Sequence, residues 1–391
     1  MTPAELRATW SLASVFGLRL FGMFVILPVF ALWAEGRPGW TLGLAGIALG
    51  AYGLTQALLQ LPLGWLSDRR GRKPVIYVGL AVLAAGSFLC AVGDSPLTVI
   101  AGRILQGGGA ISATVLAMAA DLSREEQRTK VMAIIGGTIG GVFLLSFLLG
   151  PLLAHSIGMQ GIFALTGVLA LGAIAVVRFV VPQEPLTHAS VPRVPLARVL
   201  LVPELARLNV GVFVLHAVLM ATFLVLPIAL ARAGLPAAEQ GWVYLGSLGA
   251  GFVLGLPALV GPAAAHERRM FLIAIATTAI ALALFAANLS SLAMLVTSLV
   301  IFFAGFNVLE AKLPALVSRA APAGARGAAT GVYSSVQFLG MFAGAAVGGG
   351  VAQHFGFVAL LLCCLVVTTI WFAAAWNMGD FLPAAAPVTR I

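Results

Sequence analysis

The chain has 391 residues, of which 61% are hydrophobic and only 9% charged, with 45 glycines, a composition far outside that of soluble domains. Its formal charge of +9 sits in short groups between apolar stretches, a pattern set by membrane topology rather than by nucleic-acid binding. Cys90, Cys363 and Cys364 all lie in apolar stretches with no CxxC pair or His cluster, which argues against disulfides and a structural metal, and no cofactor is expected.

Twelve apolar runs follow one another at 11–34, 43–66, 75–93, 97–120, 131–154, 160–181, 208–231, 240–260, 270–287, 292–316, 328–353 and 356–377. Each is about long enough, as a helix, to cross a hydrocarbon core of about 30 Å. None alternates in polarity as a barrel strand would. The first run carries Arg19 and is followed by eleven more, so it is read as a retained helix rather than a secretion signal. Alternating the loops between two sides puts sixteen of the 22 Lys and Arg with both termini and only Arg37 and Arg232 opposite, leaving Arg19, Arg103, Arg178 and Lys312 inside or near helix ends. The positive-inside rule then places both termini in the cytoplasm.

In chain order, Arg19 lies about two turns into the first predicted helix, too deep for easy escape to water. Gln56 and Gln60 share one face of the second, either lining a cavity or packing between helices. Next comes "GWLSDRRGRKPV", Gly64 to Val75, in which Gly71 permits a tight reversal and Pro74 suits the start of the next helix. Gly64 lets another helix approach, and Asp68 could accept from the N–H groups of a helix start. Arg103 in "GRILQGGGA" is either a cavity cation or a guanidinium bonded to carbonyls at a helix crossing. Glu35 and Asp121 lie near helix ends. "VPQEPLTHASVPRVPLARVLLVPELARLN", Val181 to Asn209, separates six runs from six. The expected organisation is a six-helix half over 1–181, a cytoplasmic linker over 182–207, a second half over 208–377 and a short cytoplasmic tail over 378–391. "FVILPVFAL" is echoed by "FLVLPIALA", aligning Pro28 with Pro227, as expected of parallel repeats.

In the second half, His216 is either a proton relay or an internally bonded histidine. Asn307, Glu310 and Pro314 form one stripe of the tenth predicted helix, while Lys312 projects away. A carboxylate there, without an evident local cation, suits proton binding and release. Its alternative is a static pair with Arg19 or Arg103.

Gly64, Asp68, Arg69, Gly71, Arg72 and Lys73 match the signature loop of the major facilitator superfamily, which the whole chain resembles. Arg103, Gln106 and Gly107 match that family's helix 4 motif. Gly141 with Gly150 and Pro151 match its antiporter-associated helix 5 motif, although Leu152 and Leu153 replace the usual following glycines. The terminal "MTPAELRATW" and "FNVLEAKLPALVSRAAPAGARGAATGVYSSVQFLG" look like a bacterial member bearing an extra ferredoxin-like domain after its last helix. Only about fourteen residues follow Asn377, so that domain is not expected here. The resemblance implies an all-α fold of twelve transmembrane helices in two halves, with a central cavity between helices 1, 4, 7 and 10. It also implies a latch from Asp68, with Asp121, to the start of helix 11 around Gly327–Thr330, stabilising the outward-open state.

These features predict a secondary transporter of the bacterial inner membrane, a proton-coupled antiporter exporting small amphiphilic molecules by alternating access. Proton coupling is assigned to Glu310 and His216, and the cavity to Arg19, Gln56, Gln60, Arg103 and Asn307. The expected partners are a small-molecule substrate, protons and membrane lipid, with no nucleic acid, and the expected state is a monomer. A proton-coupled metabolite symporter and a non-transporting sensor or scaffold are the alternatives. No P-loop, catalytic acid pair or nucleophile with a base is present, so no enzymatic activity is expected.

Overall fold

The computed structural model describes residues 1–183, 199–260, 266–322, 324–376 and 378. Most of the proposed linker and tail, with Arg193, Arg198 and Arg390, lies outside the described residues. No β-strand occurs among the described residues. The helices are α1 (Pro3–Phe24), α2 (Phe30–Ala34), α3 (Leu42–Arg70), α4 (Arg72–Val92), α5 (Pro96–Gly108), α6 (Ser112–Asp121), α7 (Arg128–Phe179), α8 (Pro203–Arg232), α9 (Gln240–Leu259), α10 (Glu267–Ala287), α11 (Leu292–Ala320) and α12 (Arg326–Trp376).

Among the described residues nine helical segments are long and apolar enough to span a membrane. Two of them, α7 with 52 residues and α12 with 51, are broken by Gly158 (φ 69°) and Gly356 (φ 84°). Glycine alone tolerates positive φ without a Cβ penalty, so each element folds into two arms of crossing length. The break at Gly158 falls between the fifth and sixth apolar runs, and Gly356 opens the twelfth. Counting each arm as one crossing gives eleven among the described residues; the first of the twelve expected spans corresponds to the interrupted pair α1 and α2, which is not among the nine. The two breaks lie 198 positions apart, as do the starts of α7 and α12 and the starts of α3 and α9, in line with the offsets of the sequence echoes. The echo is imperfect in shape. Pro28 sits in the turn that interrupts α1 and α2, whereas Pro227 lies inside continuous α8.

α1 begins at Pro3, well before the first apolar run, because Thr2 and Glu5 form a capping box, which satisfies free N–H groups of the first turn. The elements before the linker meet those after it chiefly through α3 against α12 and α7 against α9. The α3–α12 seam is a row of glycines. A Cβ on Gly46 would lie 2.1 Å from the Ala345 carbonyl oxygen, and one on Gly53 2.7 Å from that of Phe338. Only small residues allow backbones this close. The face with the N-terminus, the Gly71 turn, Arg124, Arg128 and Arg319 is called the basic face; the opposite one, with Glu35 and Arg232, is the far face.

Candidate transport cavity

A cavity of about 2380 Å³ lies between the two sets of helices and reaches the basic face, where Asp68, Arg72, Asp121, Arg128 and Gly327 line its mouth. Its walls are mostly apolar, with Leu20, Met23, Phe24 and Phe143 on one side and Leu219, Phe306 and Met341 on the other. Polar groups enter at mid-depth: Gln60 and Ser112 from the first set, and His216, Asn307, Glu310, Tyr333 and Gln337 from the second. The far face is shut. There Glu35 pairs with Arg232 at 2.6 Å, and the Gln353 side chain accepts from the Gly43 N–H at 3.0 Å.

Glu310 and His216, separate candidates in the sequence, come together. The Glu310 Oε2 is 3.5 Å from His216 Nε2, and the Glu310 side chain is 41% exposed. The carboxylate therefore faces the cavity instead of being sealed in apolar surroundings, and its close partner is an imidazole, not an arginine. His216 Nδ1 lies 3.1 Å from the Val212 carbonyl, which can only accept, so Nδ1 carries a proton. In the neutral ring Nε2 is then an acceptor, and the Gln337 amide nitrogen at 2.7 Å donates to it. A second proton on the imidazole would turn Nε2 into a donor toward Glu310. Asn307, on the same stripe, donates to the Leu248 carbonyl at 3.4 Å.

Arg19 and Arg103 were expected at the cavity, and neither lines it. Arg19 is buried behind the wall. It donates to Gly109 O at 3.2 Å, Ser112 Oγ at 2.6 Å, Tyr52 OH at 3.0 Å and also to Gln56 Oε1. The acceptors come from α3 and from the break between α5 and α6, where "GGAI" frees a carbonyl from helical bonding. Gln56 is likewise buried and passes the chain on, donating to Gln60 Oε1 at 2.9 Å; of that pair only Gln60 lines the cavity. Arg103 bonds the Ala48 carbonyl at 3.2 Å, the Leu49 carbonyl at 3.4 Å and Gln106 Oε1 at 2.8 Å. Gln106 in turn donates to Ser87 Oγ at 2.8 Å, and a Cβ on Gly107 would lie 2.2 Å from the Tyr52 carbonyl oxygen. The helix 4 motif thus fastens α5 to α3 and α4. Burying a guanidinium is tolerable when such acceptors satisfy it, and the consequence is that the Glu310 carboxylate and the His216 imidazole, beside the Tyr333 phenol, are what the lining offers at mid-depth, with no arginine among them.

In the signature loop Arg72 pairs with Asp68 and, at 3.1 Å, with Asp121. Arg69 lies 3.8 Å over the Trp65 ring, and Lys73 donates to the Val181 carbonyl at 2.8 Å. Gly71 takes φ 91° at the reversal. A Cβ on Gly64 would be 3.7 Å from Ala113, and one on Gly327 would meet nothing within 4 Å; the mouth is open between them. In the helix 5 motif, Gly141 lines the cavity, while a Cβ on Gly150 would lie 2.6 Å from the Val25 carbonyl oxygen, at the α1–α2 break. Ser112, Tyr333 and Gln337 were not singled out in the sequence. The residues "GGGAIS" offered a signal for Ser112, since consecutive glycines in an apolar run invite an unwound turn.

The family model of the Major Facilitator Superfamily matches residues 12–265 and 208–387. The chain belongs to the major facilitator superfamily. This membership makes it a transporter-family protein that passes the membrane many times. Inner membrane transport protein YajR of Escherichia coli (strain K12) is 41% identical over 97% of this chain and 85% of its own length. Multidrug resistance protein MdtH of Aeromonas salmonicida is 28% identical over 88% of this chain and 87% of its own. Among solved structures, the nucleoside transporter NupG superposes with a TM-score of 0.75 at 12% identity, covering 94% of this chain and 99% of that one. The human organic anion transporter MFSD10 gives 0.67 at 20% identity, covering 96% and 100%. At these identities the two structures speak for the fold alone.

Proposed function

We propose that the protein is a proton-coupled antiporter of the bacterial inner membrane, exporting small amphiphilic molecules by alternating access. With the basic face assigned to the cytoplasm, the conformation described is open inward. The observation that carries the proton assignment is the Glu310–His216 pair at mid-depth of an otherwise mostly apolar cavity. The pair can hold one or two protons, and its charge changes where substrate would sit. The apolar walls favour a substrate with a substantial hydrophobic body, and Gln60, Ser112, Asn307 and Gln337 supply polar contacts. The likeness to a multidrug resistance protein supports export. In the outward-open state we assign the Gly64–Lys73 loop, with Asp121, to a latch closing on Gly327–Thr330, the segments that now border the open mouth. In the proposed division, residues 1–181 and 208–377 rock about the cavity.

The reading is tested with purified protein in liposomes. A thermal-shift screen of amphiphiles first identifies a stabilising compound. Its downhill movement is then followed together with a pH dye inside the vesicles. Antiport predicts proton movement opposite to the compound; co-directional movement would make the protein a symporter, and no flux of either would remove transport altogether.

A further inference from the structure

Behind the cavity wall, at the break between α5 and α6, Arg19 fixes the hydrogen-bond polarity of the side chains around it. A guanidinium can only donate. Arg19, 2% exposed, gives its protons to the Gly109 carbonyl at 3.2 Å, Ser112 Oγ at 2.6 Å, the Tyr52 hydroxyl at 3.0 Å and Gln56 Oε1. Gln56 must then turn its nitrogen toward Gln60, whose Oε1 accepts at 2.9 Å. What remains on Gln60 is an NH2 group, and on Ser112 a hydroxyl proton. Among the described residues neither has an acceptor. Gln60 is 3% exposed and Ser112 7%, yet both line the central cavity, and the unbonded Gln60 nitrogen is not sealed in the wall.

The opposite wall has the reverse polarity. Asn307 and Gln337 direct amide protons to the Leu248 carbonyl and to His216 Nε2, which leaves their carbonyl oxygens, and Glu310 adds a partly exposed carboxylate. The first helix set thus presents donors and the second acceptors. The start of α6 has no side-chain cap, and its Ser112 and Ala113 line the cavity, so the positive end of that helix stands beside the two donors. Hydrogen bonds passed on from an ion polarise one another and are stronger than those between isolated neutral groups. Such a wall selects an acceptor. A second carboxylate would be repelled by Glu310 in the same cavity, whereas a neutral carbonyl would not.

We propose that Gln60 and Ser112 form a subsite for a neutral carbonyl oxygen, in a ketone or amide, on the transported amphiphile. The substrate binds in one orientation, its oxygen toward α3 and α6 and its apolar body along the walls. The inference rests on reading the central cavity as the substrate cavity and does not depend on proton coupling.

Equilibrium dialysis of the full-length protein in neutral detergent compares three probes of similar shape, diphenylmethane, benzophenone and diphenylacetate, with uptake by empty micelles subtracted. One hydrogen bond changes affinity about fivefold, so benzophenone should bind at least about fivefold tighter than diphenylmethane, and tighter than diphenylacetate. Gln60→Glu keeps the bond from Gln56 but presents only oxygen to the cavity at about pH 8, above the usual glutamate range; Ser112→Ala removes the other donor. Each should weaken benzophenone about fivefold and leave diphenylmethane as in the wild type, which also shows that the cavity is intact. Equal affinities for benzophenone and diphenylmethane, tighter binding of diphenylacetate than of benzophenone, or a preference that survives in both variants would overturn the carbonyl subsite and leave the cavity as a substrate site. Binding of none of the three would remove both.

Discussion

Replacing Gly46 by alanine should drive the protein away from the conformation described here. The new Cβ would lie 2.1 Å from the Ala345 carbonyl oxygen and 3.0 Å from Gly349 Cα. Both are backbone atoms that no rotamer change can move, so α3 and α12 must separate. Overpacking of this kind costs about 1–3 kcal/mol. The seam closes the far face, so the cost falls on the inward-open state and not on a state with that face parted. The equilibrium should shift about 5–150-fold toward the far-open state. Alanine also favours the helix by roughly 0.5–1 kcal/mol over glycine, but equally in both states, so the melting temperature is a poor readout and a distance is a good one. Spin labels at exposed Pro38 and Ala237, introduced as cysteines after replacing Cys90, Cys363 and Cys364, report the width of the far face. The Gly46→Ala variant should populate a longer distance. Gly246→Ala, where a Cβ meets nothing within 4 Å, should match the wild type. An unchanged distribution in a well-folded Gly46→Ala protein would refute the claim that this seam holds the far face shut.

Glu35→Gln removes the far-face ion pair with Arg232; a solvent-exposed pair is worth about 0–1 kcal/mol, so the same labels should show a smaller shift than with Gly46→Ala. Glu5 accepts from the Arg124 side chain at 2.9 and 3.2 Å and from its backbone N–H at 3.1 Å, and the Arg124 side chain, followed by the backbone donors of Thr2 and Arg124, holds the Glu5 carboxyl well below the usual carboxylate range. A lowered pKa adds stability that is present above the unfolded value and is lost as pH falls through the folded one; Glu5→Gln should therefore melt earlier than wild type at neutral pH, with the gap narrowing only below about pH 4. Arg103→Met leaves the buried Gln106 Oε1 without its donor and removes the extra bonds to the helical carbonyls of Ala48 and Leu49, at roughly 1–3 kcal/mol, and should lower the melting temperature without changing the pH dependence of transport.

Much of the fold was legible because hydropathy belongs to single residues. The breaks at Gly158 and Gly356, two glycines among many, were not singled out, whereas the apolar runs and the echo between the two halves correspond to features of the letters. Glu310 stood out for the same reason, as a carboxylate in an apolar run. The functions of Arg19 and Arg103 were not legible. Both are equally conspicuous as letters, but whether a guanidinium faces a cavity or a set of carbonyls depends on helix rotation and on partners 33 to 93 positions away, such as Tyr52 and Ser112 for Arg19. The same ambiguity hid Tyr333 and Gln337, since hydroxyls and amides are common between membrane helices. The pairing of His216 with Glu310 spans two helices and left no trace in local spacing.

The coupling assigned to Glu310 is tested most directly by substrate-driven proton movement in proteoliposomes, comparing wild type with Glu310→Gln. The variant keeps the shape of the protonated side chain but cannot release a proton. It should still exchange substrate across the membrane while moving no protons and failing to accumulate substrate in response to a pH gradient. If Glu310→Gln drives accumulation with the same pH dependence as the wild type, the proton is carried elsewhere and the assignment is wrong.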